Sequence, residues 1–156
     1  MEKYIWDYLK KQGFNDFGVA GLMGNLYAES GLNPKNLENI YNAKLGYSDE
    51  EYTKAVDDGS YGNFVNDCAG YGLAQWTYHT RKRNLYKFTK DLNTSIGNLD
   101  TQLKFLVNEL KYNYYNSVYK ILQNASSLQE ASDTVLYKFE NPANAFAQSA
   151  ARLSYS

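Results

Sequence analysis

The sequence holds one cysteine, one histidine and two prolines in 156 residues, and its charges nearly cancel, 16 Lys plus Arg against 17 Asp plus Glu. One cysteine cannot close an intramolecular disulfide, and it rules out the paired-cysteine sets of structural zinc. With one histidine, no HExxH and no calcium-loop spacing of acids, there is no metal set, and no cofactor is expected. A formal net charge of -1 does not suit a protein that works by neutralising nucleic-acid phosphates. No apolar run approaches the roughly 18–20 residues that cross a bilayer, so neither nucleic acid nor membrane is expected as a partner. The opening stretch MEKYIWDYLKKQGF is interrupted by acids and lysines and lacks the apolar core of a signal peptide. A chain of this length buries roughly two-thirds of its unfolded surface, which predicts one domain without a disulfide or metal staple.

Aromatic residues are abundant instead. Sixteen Tyr, 7 Phe and 2 Trp make up 16% of the chain. A tyrosine ring has an apolar face and a polar tip, which suits sugar stacking and also suits core and boundary packing. Packing is the expectation for most of them.

The hydrophobic pattern is helical. Residues 3–12 put Ile5 and Leu9 on one stripe before Gly13, and Asn15 or Asp16 can cap a helix from Phe17 to Ser30. Gly31, Asn33 and Pro34 end that helix. Ser48 with Glu51 three residues on is a capping box opening a short helix over 48–57. The stretch 59–76 carries four glycines and no period, and reads as loop or short extended pieces. Further stripes follow at Leu85 and Phe88, at Leu103, Leu106, Val107 and Leu110, and at Val118, Ile121 and Leu122. A fourth runs through Leu128, Ala131, Val135 and Phe139 behind a Ser127 cap, and a last helix is predicted after Pro142. The expected fold is therefore mainly α, one domain over 1–156, with a glycine-rich central loop or small β element.

On a helical wheel, residues 17–30 place Val19, Leu22, Met23 and Leu26 on one stripe, and Gly18, Gly21, Gly24 and Ala28 on a second, nearly bare face. Each helix-interior glycine costs about 1 kcal/mol relative to alanine, so several in one helix imply close approach by something. Glu29 falls between the faces in the last turn. There it gains nothing from the helix dipole, and partial burial beside Leu22 disfavours its charged form, leaving the neutral acid that proton donation requires.

Glu29-Ser30-Gly31-Leu32-Asn33-Pro34, followed later by Gly70-Tyr71-Gly72-Leu73-Ala74-Gln75-Trp76, resembles goose-type lysozymes and lytic transglycosylases, with their Glu-Ser-x-x-Asn-Pro and Gly-x-Gly-Leu-x-Gln motifs. The resemblance widens to the phage tail lysozyme family through Gly21 to Leu26, Ala28 to Pro34, Asn36 to Asn39, Gly70 to Thr77 with Arg81-Lys82, and Phe139-Glu140-Asn141-Pro142. It implies a lysozyme-like fold and cleavage of the β-1,4 MurNAc–GlcNAc bond in bacterial peptidoglycan. It further implies Glu29 as the catalytic acid and a Gly-Leu-x-Gln segment lining the sugar cleft. The expected partners are peptidoglycan glycan strands and other phage tail or lysin domains, at the virion tail or released to the cell wall. A whole small phage protein and a domain of a longer one both fit.

Glycoside hydrolysis usually takes two carboxyl groups. Glu38, Asp57, Asp58 and Asp67 are available near the cleft segment, Asp57 and Asp58 reading better as the end of a helix. Goose-type lysozymes similarly carry an aspartate just before the glycine motif, and by that resemblance Asp67 would hold the attacking water. A lytic transglycosylase needs the acid alone, because the muramyl 6-hydroxyl attacks internally. By position Tyr71 and Tyr137 are candidates to line the cleft, and the resemblance implies that Gln75, at the family's glutamine position, hydrogen-bonds a sugar N-acetyl group. Trp76 reads as a packing anchor, and Glu140 as either a helix-end charge or a cleft residue. Cys68 reads as a small buried hydrophobe rather than an amidase nucleophile, His79 as a surface residue, and Arg81-Lys82-Arg83 with Lys87 and Lys90 as a solvated helix face. The competing class is a non-catalytic wall-binding or tail-structural module.

Overall fold

The structure, a computed structural model, describes residues 1–112, 115–140 and 152–153, and most of them are helical. Eight α-helices are described: α1 Glu2–Lys11, α2 Asp16–Ser30, α3 Asn39–Leu45, α4 Asp49–Asp58, α5 His79–Asp91, α6 Leu99–Tyr112, α7 Asn116–Asn124 and α8 Leu128–Thr134. A π-helical turn, Val135–Glu140, continues α8. The chain divides into two units, one formed by Met1–Leu32 with the chain from Leu106 on, the other by Asn33–Phe105, so the boundary falls inside α6.

The first unit is built around α2. Its stripe Val19, Leu22, Met23 and Leu26 is buried, as are Gly18, Gly21 and Gly24 on the other side. A helix buried nearly all round must accept neighbours at backbone distance. A Cβ at Gly18 would lie 1.9 Å from the Leu122 carbonyl oxygen at the end of α7, and one at Gly21 would lie 2.7 Å from the Ala131 Cβ of α8. The bare face is thus where α7 and α8 close onto α2. Asn15 fixes the same corner: its Oδ1 accepts from Gly18 N at 2.8 Å, and its Nδ2 donates to Ala125 O at 2.9 Å. Gly18→Ala is expected to destabilise by about 2 kcal/mol, overpacking outweighing the gain in helix propensity. Urea unfolding measures it, and a stabilised variant would contradict the close approach.

The second unit has an aromatic centre. Tyr52, Phe64 and Tyr71 are buried, with Tyr52–Tyr71 ring centroids 5.4 Å apart and Phe64–Tyr71 5.8 Å, and Tyr47 and Tyr61 add edge-on contacts. Trp76 is fully buried with its ring edge-on to Phe105 at 5.5 Å, the anchor expected of it. The glycine-rich stretch contributes two isolated antiparallel bridges, Leu37 with Tyr71 and Tyr71 with Trp76. Gln102, on α6, ties the loops together: its Nε2 donates to Pro34 O at 2.6 Å and Ile96 O at 2.7 Å, while its Oε1 accepts from Leu73 N at 3.0 Å.

Most helices fall where the periodicity puts them, and the Ser48–Glu51 capping box forms in both directions. Two features depart from it. α3 has no buried residue, so no apolar stripe announces it; the left-handed cap Gly46 and the bond from Asn42 Nδ2 to Tyr47 O end it instead. The stripe from Leu128 to Phe139 is not one α-helix, because it widens to a π turn at Val135. The helix predicted after Pro142 lies outside the described residues, apart from 152–153.

Candidate functional site

Glu29 sits in the last turn of α2, which Gly31 ends in the left-handed conformation with its N–H on Tyr27 O. Its side chain is 18% exposed, and Oε1 accepts from Arg152 Nη2 at 2.7 Å. Arg152 is itself 4% exposed, and its Nη1 donates to Asn25 Oδ1 at 3.1 Å. Sequence reading missed this partner. Nothing local to Glu29 marks an arginine 123 residues away, and the apolar period that predicts a helix after Pro142 does not single out Arg152.

Asp67 is placed differently from the expectation. Its side chain is 2% exposed and forms an ion pair at 2.7 Å with Lys82, which is fully buried. Oδ1 also accepts from Ala69 N, and Oδ2 accepts from the hydroxyls of Tyr52 at 2.7 Å and Tyr61 at 2.9 Å. Lys82 spends its remaining protons on Ala69 O at 2.7 Å and Tyr52 Oη at 3.3 Å, with Nζ 4.2 Å from the Phe64 ring centroid. Four donors on a buried carboxylate leave no oxygen to hold an attacking water; this is the arrangement of an internal ion pair. Lys82 is therefore not part of a solvated basic face. Burial pushes its ammonium below the ordinary lysine value, with Asp67 opposing. Carrying the Leu85 stripe back one turn lands on Lys82, a signal that the flanking arginines mask.

Other expectations shift as well. Tyr71 is fully buried, its hydroxyl paired with Thr53 Oγ1 at 2.6 Å, so its ring offers no face for a sugar to stack on. Gln75 is half-buried at φ +51°, and its Nε2 serves Asn36 O at 2.9 Å and Gly72 O at 3.1 Å. Gly70 lies against that side chain: a Cβ there would stand 2.8 Å from Gln75 Oε1, so the amide end would have to shift. Tyr137 is 40% exposed on the π turn. Glu140 ends that turn, half-buried. Cys68 is exposed at φ +62° rather than buried, and His79 is exposed as expected, its ring against Tyr78. Asp57 closes the loop after α5, accepting from Ser95 Oγ and Ile96 N. Of the residues singled out, Glu29 and Tyr137 belong to the first unit, and Asp67, Tyr71 and Gln75 to the second. Among the described residues no cluster of His, Cys, Asp and Glu could hold a metal ion.

Against the sequences of known families, residues 1–156 match phage tail lysozyme. The chain belongs to the phage tail lysozyme family. It is also similar to "Morphogenesis protein 1" of Bacillus phage B103, 27% identical over 148 residues, which is 91% of this chain and 34% of that relative. The chain thus spans about one-third of that relative's length. Membership in a phage lysozyme family points to a phage-associated domain that acts on peptidoglycan. Among the described residues no helix is long and apolar enough to cross a membrane.

The tyrosines of this lysozyme domain carry a pH dependence. Burial first, then hydrogen bonding to Asp67, raises Tyr52 and Tyr61 above the ordinary tyrosine value, and burial raises Tyr71. The unfolded chain releases these protons near pH 10 while the folded chain holds them. Their contribution is complete below that pH and is lost as the pH climbs beyond it. Tyrosinate absorbance is expected to rise in two stages, the second together with loss of near-ultraviolet circular dichroism. A single stage with the fold intact would refute this.

Proposed function

We propose that the chain cleaves the β-1,4 bond between N-acetylmuramic acid and N-acetylglucosamine, with the Glu29 carboxyl protonating the glycosidic oxygen. The observation that carries this reading is Glu29 itself: the glutamate of the lysozyme-like motif, in the last turn of α2, partly exposed, with one oxygen fixed by a buried guanidinium. Proton transfer to the leaving oxygen breaks its bond to the muramyl C1, and the positive charge spreads over C1 and the ring oxygen.

The muramyl carbon then needs a nucleophile. For hydrolysis a water must lose a proton to a base, and Asp67 is not assigned that work because its carboxylate is enclosed by Lys82, Tyr52, Tyr61 and Ala69 N. That observation favours a second reading, lytic transglycosylation, in which the 6-hydroxyl of the same muramyl residue attacks C1. The Glu29 carboxylate takes back the hydroxyl proton, and no water is consumed. The name of the phage B103 relative suits a domain carried on a virion assembly better than a free lysin.

Mass spectrometry of fragments released from purified peptidoglycan tests both readings. Reducing N-acetylmuramic ends identify a muramidase, and ends lighter by one water identify the transglycosylase. Reducing N-acetylglucosamine ends or freed stem peptides would sink both. Bound wall without fragments would leave a binding module.

A further inference from the structure

Arg152 touches α2 at two points one helical turn apart. Nη2 meets Glu29 Oε1 at 2.7 Å, and Nη1 meets Asn25 Oδ1 at 3.1 Å and Asn25 O at 3.4 Å. Residues i and i+4 share a helix face, so a planar guanidinium bridging them has its plane fixed at both ends. Asn25 is equally immobile. It is fully buried, and its Nδ2 donates to Gly21 O at 2.9 Å and Ser132 O at 3.1 Å. Turning that amide over would set its oxygen against two carbonyls and its nitrogen against a guanidinium, so Oδ1 faces Arg152. The line Ser132–Asn25–Arg152–Glu29 thus anchors the carboxyl to α8.

A guanidinium has donors and no acceptor. A proton on Glu29 Oε1 would point at an N–H, so the neutral carboxyl carries its proton on Oε2, where no donor from the described residues stands. We propose that Arg152, oriented by Asn25, is a positioning residue for Glu29: it holds the carboxyl rotamer and confines the transferable proton to the outward Oε2. The inference rests on the reading of Glu29 as the acid.

The test compares Arg152→Met, Arg152→Lys and Glu29→Gln in the 156-residue chain, by kcat and KM on soluble glycan fragments and by thermal unfolding. Misplacing a reacting group by about 1 Å can cost roughly 100-fold, so Arg152→Met is expected to lose about that in kcat with KM little changed. Added guanidinium ion, below denaturing concentration, is expected to recover at least tenfold of it. Arg152→Lys keeps the charge without the fork, and about a tenfold loss in kcat is expected. Unchanged kcat in Arg152→Met, a raised KM with kcat kept, or a loss that follows unfolding without guanidinium rescue overturns the proposal. If Glu29→Gln is itself active, the acid assignment fails first; if it is inactive while Arg152→Met keeps full kcat, only the positioning role fails.

Discussion

Glu29→Gln is expected to abolish fragment release from peptidoglycan while leaving the thermal midpoint within a few degrees of the parent. The amide is nearly isosteric: its oxygen still accepts from Arg152 Nη2, and its nitrogen takes the place of Oε2. What it lacks is a proton to give. A positioned general acid contributes about 10²–10⁴-fold, so the rate should fall by roughly a thousandfold or more. Ion pairing with Arg152 becomes a neutral acceptor bond, a change of about 1 kcal/mol at a largely buried position. Parallel measurements of turbidity loss and near-ultraviolet circular dichroism separate chemistry from folding. A folded variant that lyses within tenfold of the parent rate removes Glu29 from the reaction.

Breaking the buried ion pair of the second unit has the larger consequence for stability. Lys82→Met leaves the Asp67 carboxylate in the interior with three neutral donors and no counter-charge. Asp67→Asn leaves an ammonium facing Ala69 O, Tyr52 and the Phe64 ring. Removing one partner of a buried pair costs about 3–5 kcal/mol, because the other charge stays desolvated. In a chain of this size that is roughly a 10 °C fall in midpoint. The double variant Asp67→Leu with Lys82→Met is expected to lose clearly less than the two single losses added together, since neither charge is stranded. Urea unfolding of all three decides it. Single losses under 1 kcal/mol, or strict additivity, would show that the pair does not hold the unit together.

The helices were legible because their stripes are long: Ile5 and Leu9, Val19 to Leu26, and Leu103 to Leu110 each bury one face at a 3.6-residue period. α3 was not, since nothing on it is buried and its stop signals are turn chemistry around Asn42 and Gly46. Glu29 stands out in the sequence by its motif and by its seat between two faces of one helix. Arg152 does not, because its partner lies 123 positions earlier and a helical pattern around it says nothing of that contact. Tyr71 and Gln75 both lie on the loop, but Tyr71 is buried and Gln75 half-buried, because the loop packs on its own unit, through Gln75 at Gly70 and through Gln102 at Gly72. Asp67 and Lys82 show the reverse failure. Both types are polar enough to be read as solvated or catalytic, and only their mutual neutralisation in three dimensions explains why they are inside.

The order in which the two units can assemble follows from where they lie along the chain. Asn33–Phe105 is one uninterrupted stretch, and its tyrosine centre and Asp67–Lys82 pair are complete within it, so it can assemble while translation continues. The other unit joins the two ends of the chain. Its carboxyl waits for Arg152, 123 positions further on, and the ribosome, at about 5–20 residues per second, takes several seconds or more to deliver it. A nascent chain therefore carries Glu29 long before it carries the arginine that pairs with it.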